Sequence, residues 1–322
     1  MESGGRPVPG VDYPRTFQEM DDWFRDDAEC RKYVYRLRWP NGFVCPHCDL
    51  AGEPWKMSDG LLRCRSCHGR TSLTAGTIFQ DTRKPLRMWF LAIWFVTSQK
   101  NGVSALGLQR VLGLGSYETS WTWLHKLRRA MVRPGRDRLA GHVEVDETYV
   151  GGPEEGTKGR ETETKAIVAI AAEENGNSIG RIRLRRIGDV SADSLIPFVK
   201  EAVTSGSSVH TDGWSGYSGL IKAGYQHHVT VISRSTELAH ELMPRVHIVA
   251  SLLKRWLAGT HQGGVQNYQL DYYLDEFTFR FNRRHSKARG LLFHRLVQQA
   301  VAVGPAPYHT IIGRKSQAGP GQ

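Results

Sequence analysis

The chain has 322 residues, 40% of them hydrophobic and 23% charged, which suffices for two or three domains with buried cores and excludes a wholly disordered chain. It carries 43 Lys and Arg against 32 Asp and Glu, a net charge of +11, and this excess favours a polyanionic partner such as nucleic acid. No apolar run approaches the roughly 18 residues of a membrane span, and no apolar signal segment opens the chain, so we expect a cytoplasmic protein without a membrane partner.

The N-terminal segment is rich in Gly and Pro, and a short helical preface follows it. We expect residues 1–14 to be a disordered leader. Thr16 can cap a helix, with Glu19 three residues later as its capping-box partner. The preface extends to Trp39 and, with the cysteine-containing stretch that follows, defines a predicted domain over residues 15–80.

Four of the five cysteines follow the spacing C-x2-C-x15-C-x2-C. They are Cys45, Cys48, Cys64 and Cys67. Two residues between thiols let both sulfurs reach one ion, and two such pairs complete a tetrahedral site, so the pattern predicts a zinc ribbon with a structural Zn²⁺. His47 and His68 stand beside the two pairs and could each replace a thiolate, although four thiolates already complete the set. We expect Cys30 to be a small core residue.

A helical segment over residues 81–134 comes next. Apolar residues recur on one face from Leu86 to Thr97, which predicts a long amphipathic helix. A second helix, Val103–Leu112, closes at Gly113, and Ser116 opens a third that runs to about Val132. This order is typical of a helix-turn-helix DNA-binding segment. The alternative is a helical linker packed between domains.

The third of these helices combines an apolar stripe with basic residues. The stripe consists of Trp123, Leu124, Leu127, Ala130 and Met131. The basic residues expected to contact DNA are Lys126, Arg128 and Arg129, with Arg133 beyond them. Three arginines around the second cysteine pair, Arg63, Arg65 and Arg70, are also expected to contact phosphates, with ordinary solvated charge as the alternative.

After residue 135 the pattern becomes strand-like. The predicted strands are His142–Val150, Lys165–Ala172, Ser178–Ile187 and Ser208–Asp212, with a Gly-rich turn at residues 151–160. Predicted helices cover Ala192–Thr204 and the regions around 236–258 and 269–284. Strands followed by helix, strand and helices predict an α/β fold, a mixed sheet flanked by helices.

Acidic residues stand at the ends of two predicted strands. Because side chains alternate along a strand, Glu144 and Asp146 share one face, opposite Val143 and Val145. Asp212 ends a later strand, just before a Gly turn. Aspartates on neighbouring strand ends supply the hard oxygen ligands that hold two Mg²⁺ ions roughly 3.5–4 Å apart, so we predict a two-metal site, although a lone Asp there is more often a turn residue.

Several motifs resemble the DDE-type insertion-sequence transposases that carry an N-terminal zinc ribbon. They are the stretches Val143–Gly152, Thr211–Tyr217, Leu253–His261 and Tyr273–Arg284, with Trp89–Leu114 resembling the helix-turn-helix of that family. The resemblance implies a ribonuclease-H-like catalytic domain over residues 135–300. The Gly-, Pro- and Gln-rich end of the chain predicts a loose tail over 301–322. The resemblance also implies that Asp146 and Asp212 are the first two catalytic acids.

The third acid of such enzymes lies on a helix, commonly seven residues before a Lys or Arg that contacts the DNA end. Here that basic residue is Lys254, and His247 stands in the place of the acid. Helical spacing puts His247, Ser251 and Lys254 on one face. A neutral imidazole is a softer ligand than a carboxylate and carries no charge, so it would weaken Mg²⁺ binding and favour Mn²⁺. The alternatives are that Glu276 is the third ligand, or that the element is inactive.

Further basic and aromatic residues surround these motifs. Those expected to contact DNA near the active face are Arg255, Arg283 and Arg284, with Arg280, Lys287 and Arg289. Glu276 precedes Arg280 by four residues, so an intrahelical ion pair is the simpler interpretation of that pair. Trp256 and Tyr217 are either core aromatics or platforms for unpaired bases.

The resemblance implies a nucleoid-associated transposase that binds terminal inverted repeats, cuts double-stranded DNA and joins the freed 3′-hydroxyl to a target. Assembly on two DNA ends implies a dimer or a higher oligomer. One rival is a catalytically inactive or repurposed transposase that acts as a DNA-binding regulator. Another is a ribonuclease-H-like nuclease that hydrolyses nucleic acid without joining it.

Overall fold

The computed structural model describes residues 6–133, 135–152, 164–230 and 242–313. The chain divides into two compact units, Met1–Arg133 with Ser286–Gln322, and Pro134–His285. Within the described ranges no helix is long and apolar enough to cross a membrane.

The first unit combines helices with a small antiparallel sheet. Its elements before residue 134 are α1 Phe17–Trp23, α2 Asp27–Arg38, β1 Trp55–Lys56, β2 Leu62–Arg63, β3 Arg70–Thr71, α3 Leu86–Ser98, α4 Ala105–Leu112 and α5 Tyr117–Ala130. Helix starts follow the predicted capping chemistry: the Thr16 and Ser116 hydroxyls accept the N–H groups of Glu19 and Thr119. The Glu19 carboxylate accepts from the backbone N–H and the guanidinium of Arg15, one residue before the Thr16 N–H that a capping box would use. Gly113 ends α4 with a φ of 61°, which glycine adopts without strain.

The described part of the predicted leader is packed rather than disordered. Tyr13 is buried, and the Tyr33 hydroxyl donates to the carbonyl of Asp12 at 3.0 Å. Pro14 lies directly against Gly290, where an added Cβ would approach the Pro14 carbonyl oxygen to 1.6 Å. The expected disorder of residues 1–14 is therefore wrong for residues 6–14. The buried Tyr13 and the close approach of Pro14 to Gly290 hold this segment in place. Residues 1–5 lie outside the described ranges.

The second unit is an α/β sheet with helices on both faces. Its elements are β4 His142–Val150, β5 Ala166–Asn175, β6 Ser178–Ile187, α6 Ala192–Ala202, β7 Ser208–Asp212, a 3₁₀ turn Ser215–Tyr217, β8 Gln226–Thr230, α7 Pro244–His261, a 3₁₀ turn Asn267–Gln269 and α8 Leu270–Asn282. The strand order is β6-β5-β4-β7-β8. β4 pairs antiparallel with β5 and parallel with β7, so the predicted mixed sheet is confirmed.

Alternation of side chains gives the sheet two different cores. Val143 and Val145 of β4 pack with α6 on one face. Val168 and Ile170 of β5 pack with α7 and α8 on the other. Glu144 and Asp146 alternate with the two valines, so their side chains point to the α7 side. Residues 153–160 of the expected turn lie outside the described ranges. So do residues 236–241 of the helix expected around 236–258.

The chain beyond His285 belongs to the first unit. It forms α9 Arg289–Ala302 and α10 Tyr308–Ile311. Phe293 of α9 is fully buried, with its ring 5.4 Å from that of Phe90 and 5.8 Å from that of Phe24. The predicted catalytic domain over residues 135–300 therefore extends 15 residues past the end of the second unit, because the apolar face of α9 completes the helical core. The described residues 301–313 of the expected loose tail include the buried Ile311, while 314–322 lie outside the described ranges.

Candidate functional site

The four predicted cysteines converge on one point. Their sulfurs all lie within 4.8 Å of one another, with Cys45 Sγ 3.6 Å from Cys67 Sγ and Cys48 Sγ 3.8 Å from Cys64 Sγ. A tetrahedral Zn²⁺ with Zn–S bonds of about 2.3 Å requires S···S separations of about 3.8 Å. Backbone N–H groups two residues after Cys45 and Cys64 also point at those sulfurs and favour the thiolates. The geometry fits a structural zinc site without rearrangement.

The residues around the zinc site have other partners. His47 Nε2 lies 3.1 Å from the carbonyl oxygen of Arg70, and the His68 ring stacks on Trp55, so neither histidine takes the place of a thiolate. Arg70 forms an ion pair with Asp59, which opposes its predicted phosphate contact. Cys30 is buried, as expected, and burial raises the pKa of its thiol to about 12.

The two predicted catalytic aspartates lie on neighbouring parallel strands. In the register of β4 and β7, Glu144 pairs with His210 at an offset of 66 residues. Continuing that offset by two residues brings Asp146 level with Asp212, with both side chains on the α7 side. Neighbouring parallel strands are about 4.8 Å apart, so this register places the two aspartates near each other at one edge of the sheet.

A tightly packed turn after β7 fixes the orientation of Asp212. The backbone N–H of Trp214 donates to Asp212 Oδ1 at 3.0 Å, and the Trp214 indole donates to the carbonyl of Val190 at 2.7 Å. Gly216 fits only without a side chain, because an added Cβ would lie 2.5 Å from the Val190 oxygen. The Asp-Gly-Trp-Ser-Gly segment thus fixes one carboxylate oxygen of Asp212 at the end of β7.

Tyr217 lies behind the carboxylates and is a core residue. Its side chain is fully buried, and its hydroxyl donates to Glu147 Oε2 at 2.9 Å. Burial raises the pKa of Tyr217 well above its usual value, and the charges of Glu147, Asp146 and Asp212 add to the shift. This buried tyrosine cannot stack on a nucleic-acid base. Trp256 likewise packs in the core, with its ring 5.7 Å from that of Phe277.

Helix α7 presents the third predicted ligand. Val246, Val249 and Leu253 are its buried face against the sheet. His247 is half-buried, whereas Lys254 is exposed, as the predicted helical face requires. The first turn of α7 meets β4 directly, because the Glu144 carboxylate accepts the backbone N–H groups of its second and third residues. The sequence identified Glu144 as a neighbour of Asp146 on the same face but gave it no role.

The alternative third ligand, Glu276, is held elsewhere. Its carboxylate is 1% exposed and lies 2.7 Å from the guanidinium of Arg280. The intrahelical ion pair is therefore confirmed. Among the described residues, the four cysteines are the one group of three or more metal-binding side chains whose ligand atoms all lie within 4.8 Å of one another. Asp146, Asp212 and His247 do not meet this limit as a set of three.

Burial separates the predicted DNA-binding residues into two groups. Arg128 is 2% exposed, so its expected DNA contact is wrong. The Arg284 guanidinium binds the carbonyls of Ile179 and Gly180, and the Arg283 guanidinium lies over the Phe279 ring, so both side chains are occupied within the fold.

The other predicted DNA-binding residues are more accessible. Lys126 and Arg129 are half-buried, and burial lowers the pKa of Lys126. Arg255, like Lys254, is exposed on α7. Lys287 and Arg289 belong to the first unit, whereas Asp146 and Asp212 belong to the second.

Comparison with known proteins adds independent findings. Residues 138–282 match the family model described as ISXO2-like transposase domain, and residues 25–70 match the transposase zinc-ribbon domain. The uncharacterized protein in transposable element ISH50 of Halobacterium salinarum is 29% identical over 142 residues. That match covers 43% of this chain and 46% of the relative, so the chain matches less than half of the relative's length.

One solved structure is also similar, the CryoEM structure of simian T-cell lymphotropic virus intasome in complex with PP2A regulatory subunit B56 gamma. The similarity covers 63% of this chain and 74% of that chain at 14% sequence identity, with a TM-score of 0.30.

Proposed function

Because this chain belongs to the DDE-type insertion-sequence transposases that carry an N-terminal zinc ribbon, we propose that it binds terminal inverted repeats and catalyses metal-dependent cleavage and transfer of DNA strands. The observation that carries the proposal is the parallel pairing of β4 with β7 up to Glu144 and His210, which supports a position of Asp146 beside Asp212 two residues further along both strands. Carboxylates so placed provide hard oxygen ligands from a rigid part of the sheet.

Two aspartates and one imidazole are suitable ligands for a pair of divalent ions, which Asp146, Asp212 and His247 would hold. Bound there, Mg²⁺ or Mn²⁺ would supply the positive charge that activates the attacking oxygen and stabilises the leaving one. The Trp214 N–H fixes one oxygen of Asp212 and so orients the other towards the site. The imidazole contributes no charge, so this set of ligands is expected to function better with Mn²⁺ than with Mg²⁺.

DNA would lie across the exposed side of α7. Lys254 and Arg255 are exposed there, within the helix that also carries His247. Their charges would hold the phosphates that flank the cleaved bond, and the 3′-hydroxyl freed by hydrolysis would then attack target DNA. In the first unit, the zinc ribbon and helices α4 and α5 would bind the terminal repeat. Two such ends would be joined by a dimer or a higher oligomer of this chain.

The proposal is tested by incubating the full-length protein with a duplex that carries the terminal repeat, in Mg²⁺ or in Mn²⁺. We expect nicked and strand-transfer products, reduced by about 10³-fold in Asp146→Asn or Asp212→Asn, because each variant removes a charge from the site. Asp189→Asn is the matched control, since Asp189 binds the hydroxyls of Ser191 and Ser194 at the start of α6. Undiminished cleavage in both active-site variants would contradict the proposal. A wild-type protein that binds the repeat but never cuts it would favour the regulator instead.

A further inference from the structure

The first turn of α7 depends on a partner from far away in the sequence. Backbone N–H groups at the start of a helix have no acceptor within the helix. The residue before α7, Met243, provides no side-chain cap. Glu144 Oε2 instead accepts the N–H groups of Arg245 at 2.8 Å and Val246 at 3.0 Å. The cap therefore comes from β4, the strand that carries Asp146.

The same carboxylate is fixed from its other side. Glu144 Oε1 accepts from the Arg245 guanidinium at 2.8 Å, and Glu144 is 5% exposed. The guanidinium also lies 2.8 Å from Glu174 Oε1 and donates to the carbonyl of Gly176 at 3.0 Å. Three elements thus meet at one ion pair: β4, the start of α7, and the end of β5 with the turn after it. Breaking a buried ion pair leaves a charge buried without its partner, which costs free energy. The geometry of the Glu144–Arg245 pair is therefore held firmly.

The Glu144–Arg245 ion pair lies next in sequence to the proposed metal ligands on β4 and on α7. Glu144 precedes Asp146 by two residues, with its side chain on the same face of β4. Val246, whose N–H it binds, directly precedes His247. Fixing this turn to β4 therefore fixes the distance between the helix that carries the imidazole and the strand that carries the first carboxylate.

We infer that Glu144 is a positioning residue, whose carboxylate caps α7 and thereby holds His247 in place to bind the same divalent ions as Asp146 and Asp212. The inference rests on the proposed role of His247 as a metal ligand. A neutral imidazole attracts a cation less strongly than a carboxylate does, so its contribution depends more on being held in place beforehand. Glu144 supplies that constraint without touching the ion.

The test is direct binding of Mn²⁺ to the full-length protein, measured from the EPR signal of free Mn²⁺ in the absence of DNA. In Glu144→Gln, one amide oxygen cannot accept both the backbone N–H groups and the guanidinium. We expect about tenfold weaker Mn²⁺ binding, the lower end of the range for residues that orient metal ligands. Glu174→Gln is the matched control: it removes a carboxylate from the same arginine but leaves the helix cap intact, and we expect Mn²⁺ binding within twofold of wild type.

A double-variant cycle distinguishes positioning from general loosening of the fold. If Glu144 acts through His247, adding Glu144→Gln to His247→Ala weakens Mn²⁺ binding no further. Additive losses would overturn the inference, as would wild-type affinity in Glu144→Gln. Wild-type affinity in His247→Ala would instead refute the proposed third ligand. Should Glu144→Gln fail to fold, Arg245→Met keeps the backbone cap and removes the guanidinium, and a several-fold loss that disappears in the His247→Ala background is expected.

Discussion

The zinc site and the carboxylate site are built in opposite ways. The four zinc ligands lie within 23 residues of one another, from Cys45 to Cys67, and their spacing alone sets their geometry. The proposed carboxylate site instead depends on the parallel pairing of β4 with β7, and on Glu144, which links β4 to Arg245 of α7, 101 residues away. We therefore expect loss of the zinc site to leave the second unit folded, whereas the carboxylate site depends on packing throughout the second unit.

The largest effect predicted by this contrast follows removal of one zinc ligand. Cys64→Ser should abolish zinc binding and unfold the ribbon, because structural zinc contributes on the order of 10 kcal/mol to such modules. Terminal-repeat binding should be lost, while Mn²⁺ binding by the second unit should persist. Zinc content, limited proteolysis and the EPR measurement check these outcomes. Cys30→Ser is the control, since this buried cysteine lies outside the zinc cluster and should retain the metal. Loss of Mn²⁺ binding in Cys64→Ser would show that the two sites are not independent.

A smaller effect is expected at the turn that orients Asp212. Gly216→Ala would place a Cβ 2.5 Å from the carbonyl oxygen of Val190, so the turn must shift. We expect a loss of about 2 kcal/mol in the free energy of unfolding, typical of overpacking, together with weaker Mn²⁺ binding. Urea unfolding measures the first effect and EPR the second. Gly188→Ala provides the control because its Cβ would meet nothing within 4 Å. Equal behaviour of the two variants would show that the turn does not hold Asp212.

The smallest predicted effect distinguishes an arginine that contacts DNA, Arg255, from one that stabilises the fold, Arg284. Arg255→Gln, at an exposed position of α7, should weaken DNA binding and lower the salt dependence of the affinity by about 0.9 in slope, the value for one phosphate contact. Arg284→Gln should leave that slope unchanged and reduce stability by about 1 kcal/mol, because its guanidinium binds the carbonyls of Ile179 and Gly180. Fluorescence anisotropy over a range of salt concentrations distinguishes the two. A reduced slope in Arg284→Gln alone would reverse the assignment.

Sequence reasoning was most accurate where the pattern is local. Apolar alternation predicted β4, β6 and β7 to the residue, and capping residues predicted the start of α5 and the end of α4. It missed β8, whose sequence Gln-His-His-Val-Thr is largely exposed and shows no apolar alternation. It assigned α9 to the catalytic domain because nothing in the sequence near residue 285 signals the return to the first unit.

The errors among the site residues have similar causes. Arg128 lies four residues after Leu124 and three before Met131, so it falls within the buried stripe of α5, and this spacing could have excluded it from DNA contact. An acidic Glu144 between two valines of a buried strand also indicated a paired charge. Its partner could not be inferred, because the start of α7 is 101 residues away and the pairing exists only in the folded unit.

The proposed function requires that Asp146 and Asp212 form one metal site. The most direct test is a crystal structure of the full-length protein soaked in Mn²⁺, with the ions located by anomalous scattering. We expect anomalous density within coordination distance of both carboxylates, with the His247 imidazole as a further ligand. Ions bound elsewhere, in a protein that still cleaves the terminal repeat, would contradict the proposal.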